Sequence, residues 1–277
     1  MSTETQSPVV EKPLCFCRIL CHLWCEQSFE MNPKGTLRLL RKRKPPEYLD
    51  SDRRVRSDEY IPWLCSVVGG FLGADHGNVR AFDYAIRSMP DGGAIVEIGS
   101  FLGRSTNVLA YLAMKYRKDN PFFSCDPWMF EGTERPIGGF FDAGCEAFRG
   151  YAKEVFRLNV SLFGGERKPY AIEMSSSEFF RRWADRSTVK DVFGRTVALG
   201  GPISFAYIDG AHTYEAAWQD FRGVDRHLLP GGFVLFDDSD DGGCFPKVNR
   251  LALEIAQDPS YAVVFKTPHY FFRKNDY

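Results

Sequence analysis

The 277-residue chain has no apolar run near the ~20 residues that span a bilayer, which argues against a helical membrane protein. Its opening stretch, MSTETQSPVVEKP, lacks the basic-then-apolar layout of a secretory signal. A cytoplasmic, reducing location is therefore expected, with the eight cysteines mostly as thiols. Neither sign of charge is in excess, since 35 basic side chains face 36 acidic ones, so nothing global calls for a polyanionic partner. A G-x-G-x-x-G fingerprint is missing too, which disfavours a nicotinamide dinucleotide as cofactor. No internal repeat is evident.

What is present suits a globular enzyme. Aromatic content is 15%, and the length allows one domain plus an appendage. The appendage is read as an arm over residues 1–59, and the domain as 60–277. Within the arm, Cys15, Cys17, Cys21 and Cys25 fall in eleven residues, the last three at helical spacing. That spacing matches no usual zinc pattern, so the stretch reads as a short apolar helix using cysteine as a small hydrophobe. Residues 34–56 are rich in Lys and Arg and read as a solvated linker rather than a nucleic-acid contact.

The chain is organised around Ala94–Thr106, AIVEIGSFLGRST. Ala94–Glu97 after the turn Asp91-Gly92-Gly93 reads as a buried parallel strand, and Gly99 and Gly103 bracket a tight turn. Ser105, Thr106 and Asn107 are placed to cap a helix over 108–115. Converging backbone amides at such a turn cradle a nucleotide-like ligand, and Glu97 suits a cationic ligand or a ribose. Further strands are expected at 121–125, 169–174, 203–208 and 233–236, with a terminal antiparallel pair at 262–266 and 270–273. Helices are expected at 60–72, around 82–86, and at 146–159, 178–184, 216–229 and 248–256. Residues 129–146 read as a loop with lid-like aromatics, and 185–201 as a loop insertion. Alternating strands and helices give an α/β sheet with helices on both faces.

Ligands in such sheets bind beyond the carboxyl ends of the strands. Those ends carry Glu97, Asp126, Ser175/Ser176, Asp209 with His212, and Asp237-Asp238. His212 lies three residues after Asp209, within reach of the rim, and a neutral imidazole there can take a proton from a hydroxyl. The other histidines, His269 included, are not expected at a carboxylate-bearing strand tip.

The segments VEIGSFLGRST, CDPW, AYIDGAHTYEAAWQDF and LLPGGFVLFDD together resemble class I S-adenosylmethionine-dependent methyltransferases. Within that family the chain is similar to the branch of macrolide-sugar O-methyltransferases and cephalosporin hydroxylase-like proteins, over residues 60–277. The resemblance implies a Rossmann-like, mostly parallel seven-stranded sheet whose last strand is antiparallel. It implies S-adenosylmethionine held by Glu97, Gly99, Ser100, Gly103, Ser105, Asp126, Trp128, Ser175, Ser176 and Asp209. Asp126 would take the ribose hydroxyls, with Trp128 and Ser175/Ser176 beside the adenine. Asp209, Asp237 and Asp238 stand where metal-dependent members carry their ligands, an all-oxygen set suited to Mg²⁺ or Mn²⁺. The function implied is O-methylation of a small, hydroxyl-bearing acceptor, a sugar or another small metabolite, with His212 and Asp209 catalytic. A hydroxylase-like enzyme of the same fold and a non-catalytic cofactor-binding protein are the alternatives. Neither a membrane nor a nucleic-acid partner is expected, and a homo-oligomer is compatible with the sequence.

Overall fold

The computed structural model describes residues 29–31, 37–39, 59–72, 77–129 and 145–276. The cysteine stripe and most of the basic linker lie outside these residues. Inside the arm, β1 (Phe29–Met31) and β2 (Leu37–Leu39) pair as a short antiparallel hairpin that the linker reading does not anticipate.

Two helices precede the sheet. α1 (Tyr60–Val67) ends well before residue 72 because Val68 turns extended and Gly69-Gly70 follows, Gly70 at φ 124°. α2 covers Gly77–Ser88. The sheet begins with β3 (Ala94–Ile98), leads into α3 (Arg104–Lys115), and returns as β4 (Phe122–Cys125). α4 (Cys145–Phe163), β5 (Tyr170–Ile172) and α5 (Ser176–Ala184) follow. The 185–201 stretch is not a plain loop: β6 (Thr188–Lys190) and β7 (Thr196–Ala198) form a hairpin whose Val189 is buried in the core.

β8 (Ile203–Ile208) leads to α6 (Tyr214–Asp225), which is shorter than the 216–229 expected. β9 is correspondingly longer, Leu228–Phe236, because Leu228 already pairs with Ile203 and the ladder irregularity is absorbed around Pro230-Gly231-Gly232. α7 (Pro246–Ile255) opens with proline at its first position, where no amide partner is lost. β10 (Tyr261–Lys266) and β11 (Tyr270–Lys274) close the chain.

The seven-stranded order is β10-β11-β9-β8-β3-β4-β5. β5, β4, β3, β8 and β9 run parallel, whereas β11 is antiparallel to both its neighbours. This is the Rossmann-like, mostly parallel α/β fold, with helices on both faces. β3 and β8 are buried along their whole length, as central parallel strands between two helical layers must be. One core joins the sheet to α1, α2 and α3 through residues such as Leu64, Phe82 and Leu109. The opposite core joins it to α5, α6 and α7 through Trp183, Phe221 and Leu251. No helix among the described residues is long and apolar enough to cross a membrane.

Candidate active site

Beyond the last strand residues the ladder continues for one more step. The amide of Gly99 donates to Cys125 O, Asp126 to Ile172 O, Asp209 to Ile98 O and Asp237 to Ile208 O, all at 2.8–3.1 Å. A glycine and three aspartates therefore stand in one row along the carboxyl edge. Parallel register produces this row, because neighbouring strands end at equivalent residues.

The glycine turn follows β3. Gly99 sits at φ 81°, and a Cβ there would lie 1.8 Å from Asp209 O, so no larger residue fits between the β3 and β8 tips. Asp126 clasps the same turn. Its Oδ2 accepts from the amides of Ser100 (2.9 Å) and Phe101 (2.8 Å), and its Oδ1 from the amide of Trp128 (2.6 Å). Burial raises the Asp126 carboxyl pKa, and these amides work against that shift.

α3 starts at Arg104 with Gly103, φ 90°, as its cap residue. The expected Ser-Thr cap is corrected: Ser105 Oγ and Thr106 Oγ1 turn inward and donate to Glu97 Oε1 and Oε2, both at 2.6 Å. Ser124 Oγ adds a third bond at 2.8 Å. Glu97 is thus fully buried between β3, β4 and α3, with its side chain engaged by hydroxyls. Burial pushes its pKa up to about 7, despite the three hydroxyl donors.

Trp128 is enclosed against α4. Its ring is 1% exposed, lies 5.2 Å from the Phe156 ring, and its Nε1 donates to Phe101 O at 2.9 Å. Ser175 caps α5 by accepting from the Glu178 amide, as its sequence position suggests. Ser176 hydrogen-bonds the buried Asp220 of α6, whose pKa burial raises to about 7.

On the other side of Gly99 the β8 and β9 tips build a polar cluster. Ligand-type atoms of Asp209, His212 and Asp238 all lie within 4.8 Å of one another. His212 Nε2 is 2.8 Å from Asp238 Oδ2, and its ring stacks on Phe245 at 4.1 Å between centroids. Thr213, next in sequence, caps α6 and so fixes the direction in which the His212 loop leaves the rim.

Asp237 is committed elsewhere. Its carboxylate pairs with His269 Nδ1 at 2.5 Å and accepts from Asn78 Nδ2 at 3.0 Å and from the Tyr207 hydroxyl at 2.5 Å. Burial alone would raise Asp237, but the His269 cation and these hydrogen bonds outweigh it and hold the carboxyl well below its usual range. His269, lowered by burial and raised more strongly by Asp237, titrates above an ordinary imidazole. Expecting His269 to lie away from the carboxylates is therefore corrected. The signal was available: an antiparallel β11 must begin where β9 ends, and Phe271 pairs with Leu235, which brings His269 to Asp237. Asn78 gave no comparable signal, since the start of α2 reaches the rim only through tertiary packing. A Cβ on its neighbour Gly77 would collide with Thr267 O.

The geometry groups the residues named for a metal differently from their sequence order. Asp209 and Asp238 converge with His212, while Asp237 forms a separate group with Asp238 and His269. Burial and mutual repulsion raise Asp209 well above the ordinary carboxylate range, and burial, with help from Asp237, raises Asp238. Two carboxylates crowded this way, with imidazoles as their nearest bases, fit a hard divalent cation as counter-charge. Backbone strain gathers at the same edge. Among the described residues, three of the five non-glycine residues at positive φ, namely Phe101, Trp128 and Asp238, belong to these tips.

A family model described as a methyltransferase domain matches residues 96–239, from the middle of β3 to just past β9. The chain belongs to this methyltransferase family. It is an S-adenosylmethionine-dependent enzyme, and the matched span covers every tip in the row. Among solved structures, one of CalS11, a calicheamicin methyltransferase, aligns over 100% of both chains at 17% identity with a TM-score of 0.50. Apo CalS11, described as a TDP-rhamnose 3'-O-methyltransferase, aligns at 19% identity over 85% of this chain and 97% of its own, TM-score 0.49. An O-methyltransferase from Bacillus cereus, complexed with SAH, aligns at 12% identity over 81% and 91%, TM-score 0.47. At these identities the likeness is one of fold.

Proposed function

We propose that this methyltransferase transfers a methyl group to a hydroxyl of a small polar acceptor such as a sugar, with a divalent cation at the acceptor side. The convergence of Asp209, His212 and Asp238 against the glycine turn carries this reading. The donor molecule supplies an already activated methyl group, so the enzyme's remaining task is to make the acceptor oxygen nucleophilic. Carboxylates dominate the row of tips, which suits a ligand bearing a sulfonium and an ammonium. Asp126 has acceptor positions left beyond its three amide bonds, and these suit ribose hydroxyls. Ser175 and Ser176 at the start of α5 border the adenine end, while Trp128 supports the turn from beneath rather than facing the ligand.

On the acceptor side, Asp209 and Asp238 would hold Mg²⁺ or Mn²⁺. Asp237 acts behind them, fixed by His269, Asn78 and Tyr207. The cation would polarise the acceptor hydroxyl as a Lewis acid. His212 is the general base: its Nε2–H donates to Asp238 Oδ2, which leaves Nδ1 to take the hydroxyl proton. Asp238 orients the imidazole and stabilises its charged form, and Phe245 fixes the ring plane. The free thiols at Cys65, Cys125 and Cys244 accord with action in a reducing, cytoplasmic compartment.

The test is turnover of S-adenosylmethionine with a panel of glycosides and other alcohols, with and without EDTA. An O-methylated product that is lost in chelator and restored by Mg²⁺ or Mn²⁺ supports the proposal. Full activity in excess EDTA removes the metal from it, and methylation confined to nitrogen or carbon acceptors removes the acceptor class.

A further inference from the structure

Nine large apolar side chains are exposed among the described residues, and six of them belong to α1, the Gly-rich stretch after it, and α4. They are Trp63 (49% exposed), Val67, Phe71 (59%), Tyr151 (58%), Leu158 and Leu162 (73%). Ring contacts tie parts of this set to α4 in two groups. Trp63 meets Phe163 at 5.8 Å at one end, and Phe71, Phe101, Phe148 and Tyr151 follow one another at 6.1–6.4 Å at the other.

α4 carries two apolar faces. Ala152, Phe156 and Val160 pack inward with Trp128 and Ala171. A second series, Phe148, Tyr151, Val155, Leu158 and Leu162, advances by 3, 4, 3 and 4 residues. That is the a/d spacing of a helix–helix seam, whereas a single core-facing helix needs only its inner face. The composition also fits an interface. α1 has no acidic residue in its first turn and no basic one in its last, and the exposed set is aromatic and aliphatic. The six exposed side chains present on the order of 700 Å² of surface, close to the ~800 Å² each partner contributes to a standard interface.

We infer that this face is an interface between two copies of the chain, with α4 pairing against its own counterpart about a two-fold axis. An a/d seam is self-complementary, so two identical helices can mate along it without a second kind of partner. The flanking charges are already paired within the chain: Arg157 with Glu154, and Lys153 with Glu173. The seam can thus close without burying an unpaired ion. Because Phe71 stacks on Phe101 of the glycine turn, the second copy would lie beside the cofactor end of the site.

Sedimentation equilibrium of the full chain over a concentration series tests this, comparing the natural sequence with Leu158→Glu/Leu162→Glu and with Leu253→Glu on α7. The expected result is a dimer that weakens by at least ~10-fold in the seam variant and is unchanged by Leu253→Glu. Circular dichroism and the response of the melting curve to S-adenosylhomocysteine check that the seam variant is folded; if it is not, Tyr151→Lys replaces it. A natural protein that stays monomeric throughout, as it would if its own residues 1–58 covered the face, overturns the inference. A dimer that persists with the same affinity in the folded seam variant overturns it as well.

Discussion

Glu97 illustrates how a residue at the centre of the motif can serve the fold before it serves a ligand. Its pKa rises from 4.5 to about 7 in the folded chain because it is buried. Between those values the folded state binds more protons than the unfolded one, so stability falls as pH rises from about 4.5 to 7, then levels off. The effect is of order 3 kcal/mol at most, at ~1.4 kcal/mol per unit. Glu97→Gln should therefore lose little at pH 5 and gain relative to the natural protein as pH rises to 8; denaturation curves that stay parallel across this range would contradict the assignment. His212→Ala should lower turnover by ~10²–10⁴-fold with little change in affinity for S-adenosylhomocysteine. Near-normal turnover of that variant between pH 6 and 9 would leave proton removal to some other group. Asp126→Ala releases three backbone amides at once, and each hydrogen bond to a carboxylate contributes roughly 1.5–3 kcal/mol. It should abolish the stabilisation that S-adenosylhomocysteine gives, roughly 2.7 kcal/mol at a hundred times its dissociation constant.

At the level of elements, the strands that form the site were legible because apolar, β-branched runs ending in Asp or Gly have few other interpretations. Phe122–Cys125 and Ile203–Ile208 fall where their composition puts them. The β6–β7 hairpin was not legible, since three-residue strands with exposed Thr188 and Lys190 around a single buried Val189 look like a loop. The inward turn of Ser105 and Thr106 also escaped the sequence, because hydroxyls that can cap a helix can equally satisfy a buried carboxylate. His269 is legible only through its element, because the antiparallel direction of β11 makes that strand begin beside the end of β9. Two consequences can be measured. Gly99→Ala forces a Cβ into Asp209 O and demands a positive φ, so it should lower both thermal stability and cofactor affinity. His269→Ala leaves Asp237 buried without its cation and should cost ~3–5 kcal/mol in urea denaturation. A loss under about 1 kcal/mol would show that Asn78 and Tyr207 hold the carboxylate unaided.

Across the whole molecule, parallel register places the glycine turn and the carboxylate cluster side by side, and β11, the reversed strand of the seven-stranded sheet, returns a histidine to lock one carboxylate in place. The chain's near-neutral net charge conceals this arrangement, in which Asp126, Asp209, Asp237 and Asp238 stand along one edge of the sheet. The central claim is that this edge moves a methyl group from sulfur to an alcohol oxygen. Its most direct test is mass spectrometry of the acceptor after incubation with methyl-labelled S-adenosylmethionine, a glycoside panel and Mg²⁺. The account predicts a product heavier by one labelled methyl in place of a hydroxyl hydrogen, absent with EDTA and strongly reduced in His212→Ala. A hydroxylated acceptor, or label found only on nitrogen or carbon, would contradict it.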